Sequence, residues 1–355
     1  MQPAHTLPAF SLPVYEPRRV FIERIGSRKL IYLDQNVWID LREVKTPQAT
    51  ACLDACRTAV SCGKALFPLA YPSIAETVEI SDIPTRLRQA DLLDSLSLGV
   101  TFRSSVVLLR LEGERAWRWL FAKEENLVVK EEVFSSPPDH LDEPAVMKFP
   151  AGWTAENVEK FMTDLRGKSG IRSVRFIAEQ RDWGDEHVQR LERYVQDEEA
   201  DRQRRLGQPK IQKQRAFALA LREGRQHLIH RFVVPAAAKS VLAEYGPERA
   251  LELLQQFRAT MGDGDDGRMK KLFERMPVMD QHARIMACGV VDTNRRPQPQ
   301  DFYDAEHGMA PPIFSDAFVT RDSRLARMVI AAGRGRAQVI TDLGALAAWI
   351  AEECS

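Results

Sequence analysis

The chain has 355 residues, enough for one large domain or two of ordinary size with a core that needs no cross-links. Fifty Lys and Arg balance fifty Asp and Glu, so no overall field draws nucleic acid or a membrane surface, and any electrostatic footprint must be local. Five cysteines at 52, 56, 62, 288 and 354 include no C-x-x-C pair and no histidine set beside them, which argues against a disulfide framework and a zinc site.

The amino terminus carries Pro3, Pro8, Pro13 and Pro17 among polar residues and lacks the apolar stretch of a secretory signal. No segment reaches the run of about eighteen apolar residues that a membrane span needs. The expectation is a cytoplasmic protein.

Ile31-Tyr32-Leu33 form a short apolar run that breaks at Asp34, after which Val37, Trp38 and Leu41 follow helical spacing. This predicts a buried strand, an acidic residue at its tip, and a helix that Asp34 or Asn36 caps. Cys52 and Cys56, four apart, are expected as buried thiols on a helix. Ala65 to Ala70 predicts a second strand, followed by a helix with Ser73 as its N-cap. Between Arg86 and Leu120 the apolar spacing predicts two helices broken near Gly99. Ser135 to Trp153 holds four prolines and reads as a long surface loop. From Thr154 to Met276 the pattern is helical and charged, with breaks at Gly207-Gln208-Pro209 and Gly262 to Gly267.

The end of the chain alternates again: a helix over Phe302 to His307, a strand at Ala317 to Thr320, a helix from Ser323 to Ala332, a strand at Gln338 to Thr341, and a closing helix. Alternation of this kind argues for an α/β fold with a parallel sheet and helices on both faces. The expected organisation is an extension over 1–27, a first α/β part over 28–120, a mostly helical insertion over 121–279 and a second α/β part over 280–355.

Four carboxylates recur near strand ends or on the helices that follow: Asp34, Glu76, Asp304 and Asp322. Brought to one sheet edge they would form a negative pocket suited to a hard divalent cation, since oxygen-only ligands select magnesium or manganese over zinc. Asp316 and Asp342 are further candidates. Each has a structural alternative. Glu76 completes Ser73-x-x-Glu76, the capping-box pattern, Asp322 stands where it can cap the helix from Ser323, and Asp301 competes with Asp304 for the same role.

These residues carry a resemblance. Leu33-Asp34-Gln35-Asn36-Val37-Trp38, Pro72-Ser73-Ile74-Ala75-Glu76, Asp304-Ala305-Glu306-His307 and Asp316-Ala317-Phe318-Val319-Thr320-Arg321-Asp322 resemble, in order, the acidic motifs of PIN-domain and PIN-like nucleases. The match spans the two outer segments and none of the insertion, which is far longer than the compact family core. The resemblance implies a three-layer α/β/α domain with a central parallel sheet, split by the insertion. It implies Mg2+- or Mn2+-dependent hydrolysis of single-stranded nucleic acid, RNA before DNA, with no protein nucleophile. Asp34 and Asp304 would be direct ligands, Glu76 and Asp322 direct or water-mediated ones, with Asp316 as a further ligand. Asn36, Thr320 and His307 would support them or orient phosphate. His307 has the alternative of a buried, hydrogen-bonded core histidine.

Arg202 to Arg231 holds nine Lys or Arg against one acid, Glu223. Arg202, Arg204, Arg205, Lys210, Lys213, Arg215, Arg222 and Arg225 are therefore candidate phosphate contacts. The alternative is a solvated helix face paired with Asp197, Glu198, Glu199 and Asp201. Dinucleotide and P-loop fingerprints are absent, and Gln35-Asn36 deny the Asp-x-Asp of a haloacid-dehalogenase-like phosphatase. The competing functional class is an inactive PIN-like binding or assembly module. A second copy of the chain and an inhibitory protein stand as further partners.

Overall fold

The computed structural model describes residues 18–122, 128, 130–135, 174, 178, 184–206, 212–235, 238, 246, 248–249, 252, 255, 266–291 and 295–354. Helix α1 (Arg18–Gly26) leads into β1 (Lys29–Leu33), whose last four residues are buried. Such a run of apolar side chains suits a strand covered on both faces. Helix α2 (Gln35–Glu43) starts immediately after it, and α3 (Pro47–Ser61) is capped by the Thr46 hydroxyl and buries Cys52 and Cys56 as expected. Strand β2 (Ala65–Leu66) precedes α4 (Tyr71–Val78) and α5 (Ile83–Ser97).

The expected break near Gly99 is more than a turn. Residues Thr101–Phe102 form β3, which pairs antiparallel with β4 (Phe134–Ser135) beyond helices α6 (Ser105–Ala122) and α7 (Lys130–Val133). Two residues are too short for an alternating pattern to register. The rest of the proline-rich loop expected after Ser135 lies outside the described residues.

The charged stretch is helical where described: α8 (Gly184–Leu206), α9 (Lys213–Leu228) running into a π turn at Ile229–Val233, and α10 (Asp266–Glu274). Then follow α11 (Pro277–Val291), α12 (Pro299–His307), α13 (Pro311–Phe314), β5 (Ala317–Val319), α14 (Ser323–Ala332), β6 (Gln338–Ile340) and α15 (Leu343–Glu353). Among the described residues no helix is long and apolar enough to cross a membrane.

The main sheet is parallel, in the order β2-β1-β5-β6, with Ile31 beside Ala317 and Leu33 beside Val319. The fold is thus mixed α/β and mostly helical. Alternate residues feed two cores. Leu30, Tyr32, Leu66 and Phe318 join one with α6, α11 and α14, while Ile31, Leu33, Ala65, Ala317 and Val319 join the other with α2, α3, α5 and α15. Each fully buried large apolar side chain contributes about 1.5–3 kcal/mol, so both faces stabilise the sheet. Leu228, Ile229, Phe232 and Val233, inside the segment expected as an insertion, share the first core. Their approach to α6 needs Gly113, where a Cβ would stand 2.8 Å from the Phe232 carbonyl oxygen.

Two buried carboxylates position α11. Glu112 accepts hydrogen bonds from the backbone N–H groups of Val278 and Met279, each at 2.8 Å, at the helix start, where orphan donors need partners. Burial drives its carboxyl up to about 8, against the pull of these bonds. Asp280 accepts from Arg225 at 2.5 and 2.9 Å, from Arg284 at 3.0 Å and from Arg334 at 2.5 Å. Burial alone would raise its carboxyl, but the three guanidinium groups outweigh that and hold it below the ordinary value.

Candidate active site

The strands β1 and β5 are neighbours whose chain connections leave in opposite directions, and ligands in open parallel sheets bind outside the carboxyl ends at such a switch point. Asp34 follows β1 there and is 2 % exposed. Its Oδ1 accepts from Val37 N at 3.1 Å, so it does cap α2, while Oδ2 accepts the Thr320 hydroxyl at the end of β5. The same Thr320 oxygen accepts from Asp322 N at 3.0 Å. One buried threonine thus ties together the first and last acidic motifs. Asp322 caps α14 through its Oδ1, which accepts from Arg324 N at 2.6 Å and Leu325 N at 3.0 Å. Capping and a second role do not conflict, because capping engages one oxygen of each carboxylate.

Helix α12 brings Asp304 and His307 to the same place. Asp304 is 3 % exposed, and its carboxyl is pushed up to about 6 by burial first, then by the negative charges of Asp322 and Asp301, against the pull of His307 and Arg324. Its Oδ2 accepts from Arg324 at 3.0 Å. Asp301, one turn earlier, accepts from Gln298 N at 2.8 Å in a capping box and pairs with Arg295 and Arg324. Of the two, Asp304 is the residue on which the charges of Asp322 and His307 act.

Glu76 departs from one expectation. Helix α4 begins at Tyr71 behind Ala70, so Ser73 lies inside the helix rather than at its cap, and the capping-box reading fails. The Pro72 ring at the start of the helix explains this, since proline is suited to the first turn. The Glu76 carboxylate instead bonds to His307 Nε2 at 3.1 Å and accepts from Gln300 Nε2 at 3.1 Å. His307 is buried, with the Tyr32 hydroxyl at its Nδ1. Burial lowers its pKa, but Glu76, Asp34 and Asp304 outweigh it and raise the value above the ordinary one. The Asp34 carboxyl is likewise raised, by burial foremost.

Two candidate ligands lie elsewhere. Asp316 precedes β5, at the opposite edge of a parallel sheet, where its Oδ2 accepts from Leu30 N at 2.7 Å and its own N–H donates to Leu30 O. It extends the β1–β5 ladder and cannot join the cluster. Asp342 follows β6 and caps α15 through Ala345 N at 2.8 Å. Asn36 is exposed on the first turn of α2, two residues from Asp34.

The basic candidates separate into groups. Arg202 bonds twice to Glu199 at 2.7 Å, Arg204 is exposed and pairs with Asp201, and Arg205 is half-buried. Lys213, Arg215 and Arg222 are exposed on α9. Arg225 is a correction to the expected phosphate contacts, because its guanidinium is committed to the buried Asp280. Lys210 lies outside the described residues.

The donor chemistry, carboxylate oxygens only, fits a hard divalent cation. As the side chains stand, no three His, Cys, Asp or Glu among the described residues are close enough to hold one ion. Both acids are already partnered: Arg324 bonds Asp304 and His307 bonds Glu76. Arg324, Tyr32 and Gln300 are members of this network that the sequence did not single out. Arg324 has one signal, its position two residues after Asp322, while the others depend on contacts between distant segments. The fold and site together define an α/β protein with a buried acidic cluster at the switch point of its sheet. Compared with family models, with curated proteins and with solved structures, the chain matches none.

Proposed function

We propose that the chain is a PIN-like, divalent-metal-dependent nuclease of cytoplasmic location that hydrolyses single-stranded nucleic acid, RNA as the first substrate to test. The observation that carries the reading is the link through Thr320, which holds the Asp34 carboxylate and the Asp322 backbone together at the switch point, with Asp304 and Glu76 electrostatically coupled to them. Covered on both faces by helices, the sheet is consistent with the three-layer architecture of that family.

In this reading Asp34 and Asp304 offer the ligand oxygens, with Glu76 and Asp322 beside them. Bound Mg2+ or Mn2+ would supply a more acidic water and stabilise charge on the attacking and leaving oxygens. Thr320 fixes the Asp34 rotamer, Arg324 orients Asp304, and His307 holds Glu76 in place through Nε2. Tyr32 fixes the histidine ring from the other side.

The test is cleavage of labelled single-stranded RNA and DNA by the full chain with Mg2+, with Mn2+ and with chelator. The expected result is metal-dependent cleavage that falls by about a thousandfold or more in Asp34→Asn and Asp304→Asn, on the scale of losing groups that act in the transition state. Equal cleavage in chelator sinks the metal mechanism. The second reading, an inactive PIN-like binding or assembly module, is favoured by the pairing of Asp304 with Arg324 and of Glu76 with His307, and it predicts no cleavage under any of these conditions.

A further inference from the structure

Beside the acidic cluster lies an open cleft between α8, α11, the 295–297 segment, α12 and α14. Five arginines line it: Arg202, Arg205, Arg295, Arg296 and Arg324. The carboxylates lining it are two, Glu198 and Asp301. Asp301 is already shared between Arg295 and Arg324, and Arg202 is held by Glu199 from α8 itself. Burial raises the Glu198 carboxyl, against the pull of Arg205.

Two guanidinium groups are the least committed among the described residues. Among the described residues Arg205 Nε is buried without a hydrogen-bond partner and Arg205 Nη1 lies 4.0 Å from Asp201, while Glu198 and Glu223 act on its charge from further away. Arg296 is exposed and forms no ion pair among the described residues. A buried donor without an acceptor is costly in a network built only for stability, and Arg205 Nε is such a donor. Apolar Ile285, Met286 and Met328 line other parts of the cleft.

We infer that this cleft is a binding site for a phosphoryl group, held by Arg205 and Arg296 with Tyr194 and Arg202 beside them. Guanidinium forks match the paired oxygens of a phosphoryl group, and its multiple charge suits a site with two arginines. Arg324 places the site next to the acids, since one of its nitrogens bonds both Asp301 in the cleft and Asp304 in the cluster. The phosphoryl group belongs either to a nucleic-acid strand or to a small phosphorylated ligand. The site does not depend on the hydrolytic reading, because it is measured by binding in chelator.

The experiment titrates the full chain in chelator with three probes: a short fluorescent single-stranded oligonucleotide, adenosine 5'-monophosphate and inorganic phosphate. The variants are Arg205→Gln/Arg296→Gln, Arg296→Gln alone and, as a control on α3, Arg57→Gln. Arg296 is exposed, so its single variant keeps the fold even where the double variant does not. The double variant is expected to bind about tenfold or more weakly, and to lower the salt slope for the oligonucleotide by about 1.4, or 0.7 per lost contact. Arg296→Gln is expected to show about half of that slope change, and Arg57→Gln none.

Tight binding of the oligonucleotide with weak binding of the small anions assigns the site to a strand. Comparable binding of all three assigns it to a small phosphorylated ligand. Wild-type affinity and salt slope in both cleft variants overturn the inference, as does a folded wild type that binds none of the probes at low salt. Binding that follows the cleft arginines without any metal-dependent cleavage upholds the site and removes the nuclease reading alone.

Discussion

Asp280 and Asp304 are both buried aspartates, on the neighbouring helices α11 and α12, yet their surroundings differ in kind. Asp280 faces three guanidinium groups and is held ionised below its ordinary pKa, whereas Asp304 faces one arginine and several acids and is raised to about 6. Burial alone therefore says little about role. A buried charge matched by its partners is a fixing point for helices, and one crowded by like charges marks a place where the fold has accepted a cost.

Asp280→Asn should break the matched side of this comparison most severely. Three arginines would lose their shared acceptor, and stability should fall by about 3–5 kcal/mol, read as the midpoint of urea unfolding. A loss comparable to that of an exposed pair would show that the arginines find water instead.

Glu112 gives the next effect and a pH signature. Its proton is held more tightly in the folded chain, at about 8, than in the unfolded one, near 4.5. The stability it contributes is thus complete below about 4.5 and is lost as pH rises through about 8. The decline should approach about 1.4 kcal/mol per pH unit within that window, and Glu112→Gln should flatten it. Thermal unfolding of both proteins across the window decides the point, and identical pH profiles would contradict it.

Thr320→Val preserves shape but leaves an Asp34 oxygen and the Asp322 N–H without their partner. A cost of about 1–3 kcal/mol is expected from denaturant unfolding. A smaller cost would mean that the cluster admits water between these groups.

The smallest effect on stability is expected where the effect on the proposed activity is greatest. Asp304→Asn removes a charge that the fold disfavours, so stability near neutral pH should hold or rise by about 1 kcal/mol. If it falls as far as in Asp280→Asn, the contrast between the two sites is wrong.

Most elements that carry the cluster were legible in the chain. The apolar run that ends at Asp34, the strand before Thr320 and the helices after both are local patterns of period two or 3.6, and the caps at Asp34 and Asp322 are local hydrogen bonds. The same reasoning misplaced Ser73 as a helix cap, because Ser-x-x-Glu describes a cap only when the helix starts at the serine, and Pro72 moves the start earlier. It also grouped Arg225 with Arg205, since linear charge density cannot tell a guanidinium turned onto Asp280 from one turned into a cleft.

By itself, then, the sequence determined the alternation of elements, the burial of β1 and the acids available at the strand ends. Only the tertiary structure decided which acids meet. Parallel pairing of β1 with β5 sets Asp34 beside Thr320 and sends Asp316 to the far edge, and the packing of α12 against α4 brings His307 to Glu76 across more than two hundred residues. Backbone patterns repeat within a few residues and can be read locally, whereas charge balance is a sum over neighbours that only the folded chain assembles.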